Sequence, residues 1–356
     1  MITRTVSKDP RTTRGDLVND LQRAGTKRRL SIEMEGSLNW TDALTEIHPC
    51  YKIDVSYVLR SNPSAICVLF RVFLGSLSVV TVGGNLLVIM SIIYFKQLHT
   101  RTNSLILSLA LADLLVGAIV FPLTMEFSLT YCLYHKALFC KVRSTFDVTL
   151  CTSSILNLCC IAIDRYYAVC QPLTYRTKLT DPVVVVMILV SWGISVFIGI
   201  GFVIVEINQE IRLIDAIMAN IFGLVFSFYL PVVVMLCIYL KIFFVAQKQA
   251  RSIQNTTTKS GATVSKIERK ATKTLAIVMG VFLISWLPFF LCMTVLSFSH
   301  VYMPLPFIEL LNWLALSNSM LNPFIYAFFY RWFRTAFKMI ICGKIICGDF
   351  TNSKLL

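Results

Sequence analysis

Seven stretches of mostly apolar residues, at roughly 65–95, 104–129, 140–169, 183–205, 216–246, 271–298 and 306–329, constrain this chain more than anything else in it. A helix crosses the hydrocarbon of a bilayer with about 20 such residues. Lipid offers no hydrogen bonds, so a crossing segment must satisfy its backbone internally, as a helix does. The expectation is an all-α membrane protein, a bundle of seven transmembrane helices. Composition points the same way: 15% of the 356 residues are charged, against about 25% in soluble domains. Disorder is excluded by 56% hydrophobic residues, among them 25 Phe and 13 Tyr. The twelve Cys do not form a disulfide scaffold, because Cys151, Cys159, Cys160, Cys237 and Cys292 lie inside apolar runs, where a thiol behaves as a small hydrophobe.

The connections are short except for 247–270, which reads as a polar, mobile loop. Lys and Arg favour the cytoplasmic side of a membrane. One set of connections holds Lys96, Arg101, Arg176, Lys178 and six more between Lys248 and Lys270, and the tail adds Arg331, Arg334, Lys338 and Lys344. The opposite set offers Lys136 and Arg212, with Lys141 and Arg143 at the start of the third run. The amino terminus is therefore expected outside and the carboxyl terminus inside, in a multi-pass protein of the plasma membrane. The first 30 residues lack the apolar core of a secretory signal, which leaves targeting to the first span. Asn39-Trp40-Thr41 is a glycosylation sequon on the outer tail, whereas Asn255-Thr256-Thr257 falls on the cytoplasmic side and should be silent. Residues 330–341 are amphipathic and predict a short eighth helix along the inner leaflet, followed by Cys342 and Cys347 as palmitoylation sites or as free thiols. The organisation is then a basic extension over 1–33, an extracellular tail over 34–64, a seven-helix domain over 65–329, and a helix 8 with tail over 330–356.

Ionisable groups within lipid are costly and mark function. Asp147 lies in the third run seven residues after Cys140, and Arg165 follows 18 residues later, five turns on, so both share a helix face about 27 Å apart. Asp147 reads either as the counter-ion of a cationic ligand or as the partner of Arg143 one turn outward. Asp164-Arg165-Tyr166 marks the inner end. Asp113 sits mid-run, with Asn85, Ser154, Asn318, Ser319 and Asn322 available around it. That cluster binds Na⁺ or satisfies itself through water, and either way it is a polar joint between helices. Pro288 and Pro323 each remove a backbone hydrogen bond inside a span. Trp286, Phe289 and Phe290, at i, i+3 and i+4, form a ring cluster that reads as packing or, opposite Asp147, as a cage for an ammonium. Glu268 lies five turns before Trp286 and is placed to pair with Arg165.

Taken together, these residues resemble the rhodopsin-like G-protein-coupled receptors over nearly all of 65–340. The matching positions are Asn85, LALAD ending at Asp113, Cys140, Asp164-Arg165-Tyr166, Trp192, Pro231 with Tyr239, Trp286-Leu287-Pro288, and Asn322-Pro323-Phe324-Ile325-Tyr326. Asp147 with Phe289 and Phe290 resembles the biogenic-amine branch. NSMLNPFIYAFFYRWF, Asn318 to Phe333, is similar to the fingerprint of trace-amine-associated receptors. The resemblance implies a small cationic amine held by Asp147, with Trp286, Phe289, Phe290, Cys151 and Ser227 lining the site. It implies a switch in which Arg165 leaves Glu268 and is received by Tyr239 and Tyr326. Its implied partners are a stimulatory heterotrimeric G protein raising cyclic AMP and membrane lipid, with no nucleic acid and no cofactor beyond Na⁺ as a modulator. Many such receptors are olfactory detectors of volatile amines in vertebrates.

The chain also departs from this pattern. The family ties Cys140, and also the amino-terminal Cys that is Cys50 here, to the loop between the fourth and fifth helices. That connection is about 206–215 here, EINQEIRLID, and has no Cys. Either the outer lid has been lost or a segment is missing from the sequence. Leu316 stands where the family has a Tyr that supports the acid, and Ser285 replaces the Cys before Trp286. Gly223 and Ser227 supply no second carboxylate, and Glu126 and Glu309 read as solvated residues at the rim. Eight Lys/Arg ahead of Met34 oppose translocation of the amino terminus, so Met34 is the expected start, the alternative being a harmless disordered extension. A transporter predicts inverted repeats with paired broken helices, which seven unequal runs do not offer. An enzyme is disfavoured by four scattered His without metal spacing, phosphate loop or nucleophile. A non-signalling product of an incomplete gene remains the third alternative.

Overall fold

The computed structural model describes residues 65–130, 137–207, 213–255, 259–298, 303–329 and 331–342. Every regular element among them is helical. The first span is Ala65–Tyr94, and the second is Arg101–Leu115 continued by Phe121–Thr130. The third is Ala137–Cys170 and the fourth Asp181–Ile207. The fifth is Leu213–Leu224 continued by Leu230–Asn255, the sixth Lys259–Phe298 and the seventh Leu305–Phe329. The amphipathic helix Arg331–Ile341 follows. The seven-helix expectation therefore holds, with an eighth helix where the alternation of apolar and basic residues placed it.

Six of these helices are apolar enough throughout to qualify as membrane spans among the described residues. The seventh, 25 residues and hence about 37 Å long, is diluted by Glu309, Asn312, Asn318, Ser319 and Asn322, all of which are buried. Its polarity is turned inward. The same inversion runs through the bundle: Asn85, Ser108, Asp113, Ser154, Asn157 and Asp164 are buried, whereas Leu69, Phe73, Val79, Leu189, Phe197 and Phe244 are exposed. An apolar belt around a polar seam is stable only with lipid as the solvent. The third span packs against the second, fourth and fifth, and the sixth against the fifth and seventh.

Two features differ from expectation. Within the stretch 247–270 the described residues, 247–255 and 259–270, are helical, because the fifth span runs on to Asn255 and the sixth starts at Lys259. Its Ala, Lys, Gln, Arg and Glu are good helix formers, and each piece extends a helix already nucleated in the membrane, so propagation is favourable. The second and fifth spans are also not uniform. Val116–Val120 and Val225–Tyr229 are π-helical, with the Phe121 N–H donating to the Val116 carbonyl and the Leu230 N–H to the Val225 carbonyl. Each bulge is followed, after one intervening residue, by a proline, Pro122 or Pro231. A proline ring crowds the carbonyl four residues back and offers it no N–H, and the preceding turn relieves that clash by widening.

Local signals set the other ends. The Thr100 hydroxyl caps the second span by accepting from the Asn103 N–H at 3.3 Å. Asp181 opens the fourth span, where an acid complements the helix dipole, and accepts from Arg101 Nε at 2.8 Å. Arg334 donates to the carbonyls of Ala327 and Phe328 at 3.0 and 2.9 Å, closing the seventh span while Trp332, Phe333 and Ala336 bury the inner face of the eighth helix.

The first and second spans are in close contact at Gly117. Its carbonyl accepts from the Ser78 hydroxyl at 2.7 Å, and an added Cβ would lie 2.9 Å from Thr81 Cγ2 and 3.1 Å from Val82 Cγ2. Gly117→Val should therefore destabilise the bundle by about 1 to 3 kcal/mol, the range for overpacking. Thermal unfolding of the purified protein in detergent would show the loss as a lowered midpoint, and an unchanged midpoint would mean that the contact yields freely.

Candidate functional site

Asp147 lies nearly three turns into the third span. Its carboxylate accepts a hydrogen bond from the Cys151 thiol at 3.2 Å through one oxygen and faces Arg143 Nη2 at 3.8 Å through the other. The side chain keeps 19% of its surface accessible, and protein walls the rest. Cys151, one turn deeper, belongs to a continuous apolar core with Phe228, Trp286, Phe290 and Leu316. Phe228 stacks on Phe290 with centroids 4.0 Å apart and an interplanar angle of 3°. Phe290 also meets Phe289 edge-on at 5.6 Å and Trp286 at 5.9 Å. The Tyr229 hydroxyl lies 2.6 Å from that of Thr294 and donates to the Phe290 carbonyl at 3.3 Å, tying the fifth span to the sixth just beyond Pro288. Ser227, inside the π-helical turn, is buried beside Phe228.

The polar joint is assembled around Asp113, which has no accessible surface. Ser154 Oγ donates to Oδ1 at 2.8 Å and Asn322 Nδ2 to Oδ2 at 2.7 Å. Asn85 does not reach this carboxylate with its amide: Nδ2 donates instead to the carbonyls of Thr81 and Ser319, at 2.9 and 3.1 Å. Asn85 Oδ1 and Asn318 Nδ2 are buried without a protein partner among the described residues. Four spans, the first, second, third and seventh, meet here. Trp192 of the fourth span attaches nearby, its indole N–H donating to Ser108 Oγ at 3.0 Å.

At the far end of the third span, buried Asp164 gathers four donors. Arg165 supplies Nε and Nη2 at 3.1 and 2.7 Å, Thr102 a hydroxyl at 2.9 Å, and Tyr175 its phenol at 2.8 Å. Arg165 Nη2 also bonds the Thr102 hydroxyl. Tyr175 comes from the short helix Pro172–Lys178, whose first residue is a proline suited to that position. Burial raises the Tyr175 phenol above its ordinary range, so it stays protonated and donating. Lys241 of the fifth span lies 5.2 Å from the centre of the Tyr166 ring.

With this geometry in view, comparison with known proteins is decisive. Residues 84–326 match the 7 transmembrane receptor (rhodopsin family) pattern. The chain is 43% identical over 298 residues to trace amine-associated receptor 1 of Macaca mulatta, covering 77% of this chain and 88% of that one. It is 43% identical over 318 residues to trace amine-associated receptor 4 of Mus musculus, covering 83% and 91%. Trace amine-associated receptor 9 of Rattus norvegicus is 40% identical over 328 residues, covering 86% and 97%.

The chain belongs to the trace-amine-associated group of rhodopsin-family receptors.

The receptor is thus a G-protein-coupled receptor and not an enzyme, a multi-pass membrane protein whose relatives it matches across most of their length. The alignment with the macaque relative also exposes a deficit. It spans 298 residues, yet 77% of a 356-residue chain is about 274. Roughly two dozen residues of the relative therefore have no counterpart in the aligned part of this receptor.

Several site residues expected from sequence are joined to one another and others are not. Asp147 with Cys151, the rings Trp286, Phe289 and Phe290, and Asp113 with Ser154 and Asn322 form direct contacts. Arg165 is held by Asp164 and Thr102. Of Glu268 and Cys140 only the helical backbone is described. Asn39, Cys50, Cys347 and the extension over 1–33 lie outside the described residues, and Cys342 is exposed at the end of the eighth helix. Tyr239 is partly buried and Tyr326 buried, both within the apolar core.

Glu309 requires correction. It is 7% exposed and not a solvated rim residue, because it shares one helix face with the buried Asn312, Trp313 and Leu316 at i+3, i+4 and i+7. Glu126 does stand at the surface, 3.6 Å from Arg71 of the first span. Tyr175 and Thr102 were missed as partners of Asp164. The one available signal was Pro172, which predicts a helical turn that carries Tyr175 back toward the third span.

Removing a donor from a buried carboxylate costs about 1.5 to 3 kcal/mol, so Asn322→Leu should lower the unfolding midpoint markedly. Asp113→Leu combined with it should cost less than the two singly, since the doubly apolar site leaves no orphaned charge. Thermal melts of the four proteins would measure the coupling, and strict additivity would show that the bond carries none.

Proposed function

We propose that the receptor binds a small cationic amine at Asp147 and responds by activating a stimulatory G protein, raising cyclic AMP. What carries the reading is one acid, partly open and bordered by a stacked aromatic core, in a chain whose relatives are named for trace amines. An ammonium beside a carboxylate at low local dielectric is strongly favoured over either charge alone. The neighbouring ring faces suit a cation as well, and volatile amines are the class of stimulus that fits an olfactory role. The Lys and Arg distribution supports an amino terminus outside and a carboxyl terminus inside, in the plasma membrane.

Signalling on this reading is a population shift, moved by the agonist's differential affinity and by nothing else. Asp147 anchors the cation and Trp286 registers occupancy. Pro288 and Pro323 let the sixth and seventh spans bend, and the cluster around Asp164 releases Arg165 toward Tyr239 and Tyr326. Glu268 is the further restraint on Arg165 in the resting state. The oxygens of Asp113, Ser154 and Asn85 are a donor set suited to Na⁺, which would add a counter-charge at the polar joint. Asn39 is the proposed glycan site and Cys342 with Cys347 the proposed palmitoylation sites.

A second reading, a chain impaired in signalling, is favoured by one observation: only residues 208–212 separate the fourth span from the fifth. We assign the roughly two dozen missing residues to this connection, the place where the family's lid and its Cys belong. Without it Cys140 and Cys50 lack their usual partner.

Asp147→Asn should abolish the cyclic AMP response to amines without loss of surface expression, since truncating one member of a desolvated charge pair costs about 2 to 5 kcal/mol or more. An unchanged dose–response curve would exclude the counter-ion role. Grafting a Cys-containing loop from a relative between Val205 and Asp215 should raise surface display and response together, a disulfide of this kind commonly contributing about 2 to 5 kcal/mol. Normal display and potency in the ungrafted receptor would show the short connection to be sufficient.

A further inference from the structure

The far half of the fifth span carries two cations that no acidic side chain neutralises. From Met218 to Asn255 this span contains no Asp or Glu. Lys241 and Lys248 are exposed, and neither has a carboxylate within ion-pair distance among the described residues. The Lys241 ammonium lies 5.2 Å from the centre of the Tyr166 ring, which offers attraction but no counter-charge. The two lysines border an open groove of about 450 Å³ whose other walls are Cys237, Leu240, Phe244 and Val245. On the orientation proposed above, with this end of the span at the inner leaflet, we infer that the groove binds an acidic phospholipid, and specifically a phosphoinositide.

Cys237, Lys241, Phe244, Val245 and Lys248 recur at i, i+4, i+7, i+8 and i+11, so they form one stripe along the helix. Leu240 and Phe244 are exposed apolar surface, which an acyl chain covers without cost. An ammonium at membrane depth is costly unless an anion meets it. A lipid supplies both at once, with its chains over Leu240 and Phe244 and its phosphate at the lysines. The spacing then selects the headgroup. Lys241 and Lys248 are seven residues apart, two turns and about 10 Å along the helix, so a lone phosphate does not serve both. A phosphoinositide carries a phosphodiester next to its chains and further phosphates on a ring that projects away from the bilayer. One anion therefore falls near each lysine. Phosphatidylserine holds its carboxylate close to the phosphodiester, and its own ammonium cancels part of the charge. Lysine is a compact point charge on a flexible stem, suited to phosphates that approach at different depths. Basic pockets at the inner face of membrane helices hold headgroups of this kind.

The test is native mass spectrometry of the purified full-length receptor in neutral detergent. Bound lipids are counted directly, so the result depends neither on the amine reading of Asp147 nor on G-protein coupling. The probes are phosphatidylinositol bisphosphate, phosphatidylserine and phosphatidylcholine with matched acyl chains. The wild type should take up one phosphatidylinositol bisphosphate about tenfold or more tightly than phosphatidylserine, a factor worth about 1.4 kcal/mol, and phosphatidylcholine more weakly still. Lys241→Gln with Lys248→Gln should erase that preference, and Lys241→Arg with Lys248→Arg, which keeps both charges, should retain it. Lys178→Gln with Lys338→Gln removes the same charge from other exposed positions at this end of the bundle and should leave the preference unchanged. Soluble inositol trisphosphate at equal concentration should displace little of the lipid, since it lacks the chains that cover Leu240 and Phe244. Equal uptake of the two acidic lipids, or equal loss in both glutamine pairs, would reduce the groove to general attraction by a basic face and overturns the inference. Full displacement by the soluble headgroup, or a wild type that takes up none of the lipids, overturns it as well.

Discussion

A bilayer accepts no hydrogen bonds from the protein, and that condition shapes this receptor from its backbone to its buried side chains. Each polar side chain that enters the membrane must find its partner on another helix, so the polar groups become the joints. Asp113 shows the consequence most directly, as a carboxylate with no accessible surface that draws Ser154 from the third span and Asn322 from the seventh. Asp164 does the same at the far end, recruiting Thr102 from the second span and Tyr175 from the short connecting helix. Lipid-facing residues contribute little specificity, because one aliphatic surface is as good as another there. The helices are therefore positioned by a small number of buried polar contacts and by close backbone approach, as between Gly117 and Ser78.

The prolines act on the same accounting of backbone groups. Pro122 and Pro231 each leave a carbonyl without its usual donor, and the chain responds with a widened turn that inserts one residue's worth of rotation. Side chains on either side of such a turn no longer follow one continuous stripe. Phe228 and Tyr229 lie in the altered turn of the fifth span and reach Phe290 and Thr294 of the sixth. The aromatic core next to Asp147 thus depends on a backbone irregularity as well as on ring chemistry.

Much of this architecture was legible in the sequence, since a run of 20 or more apolar residues has one stable outcome in lipid. The third span's two charges were readable for the same reason: helical period fixes which residues share a face, and five turns separate Asp147 from Arg165. What escaped was whatever depends on a second element. Glu309 looked like a surface acid by its position near a helix end, and only the inward rotation of the seventh span buries it. Residues 247–270 looked like a loop by polarity, but polarity there reflects solvent outside the membrane, and helices propagate through it. Pro172 signals the helical turn that holds Tyr175, but Thr102 belongs to the second span, and no local pattern encodes its bond to Asp164. Arg143 was visible as a neighbour of Asp147, whereas its reach to Thr124 depends on the packing of the second span.

The sixth helix has a mechanical property that follows from its length alone. It runs as one piece from Lys259 to Phe298, with Pro288 near one end. The arm from Pro288 to Lys259 covers 29 residues, or about 43 Å. A bend of about 10° at the proline sweeps the tip through roughly 7 Å, more than the pitch of a helical turn. A shift beside Phe290 smaller than the width of a methyl group is thereby magnified into a displacement of several ångströms at the far end of the helix. Shortening the arm by breaking the helix near residue 276 would cut that gain to less than half and leave the ring packing around Phe290 untouched.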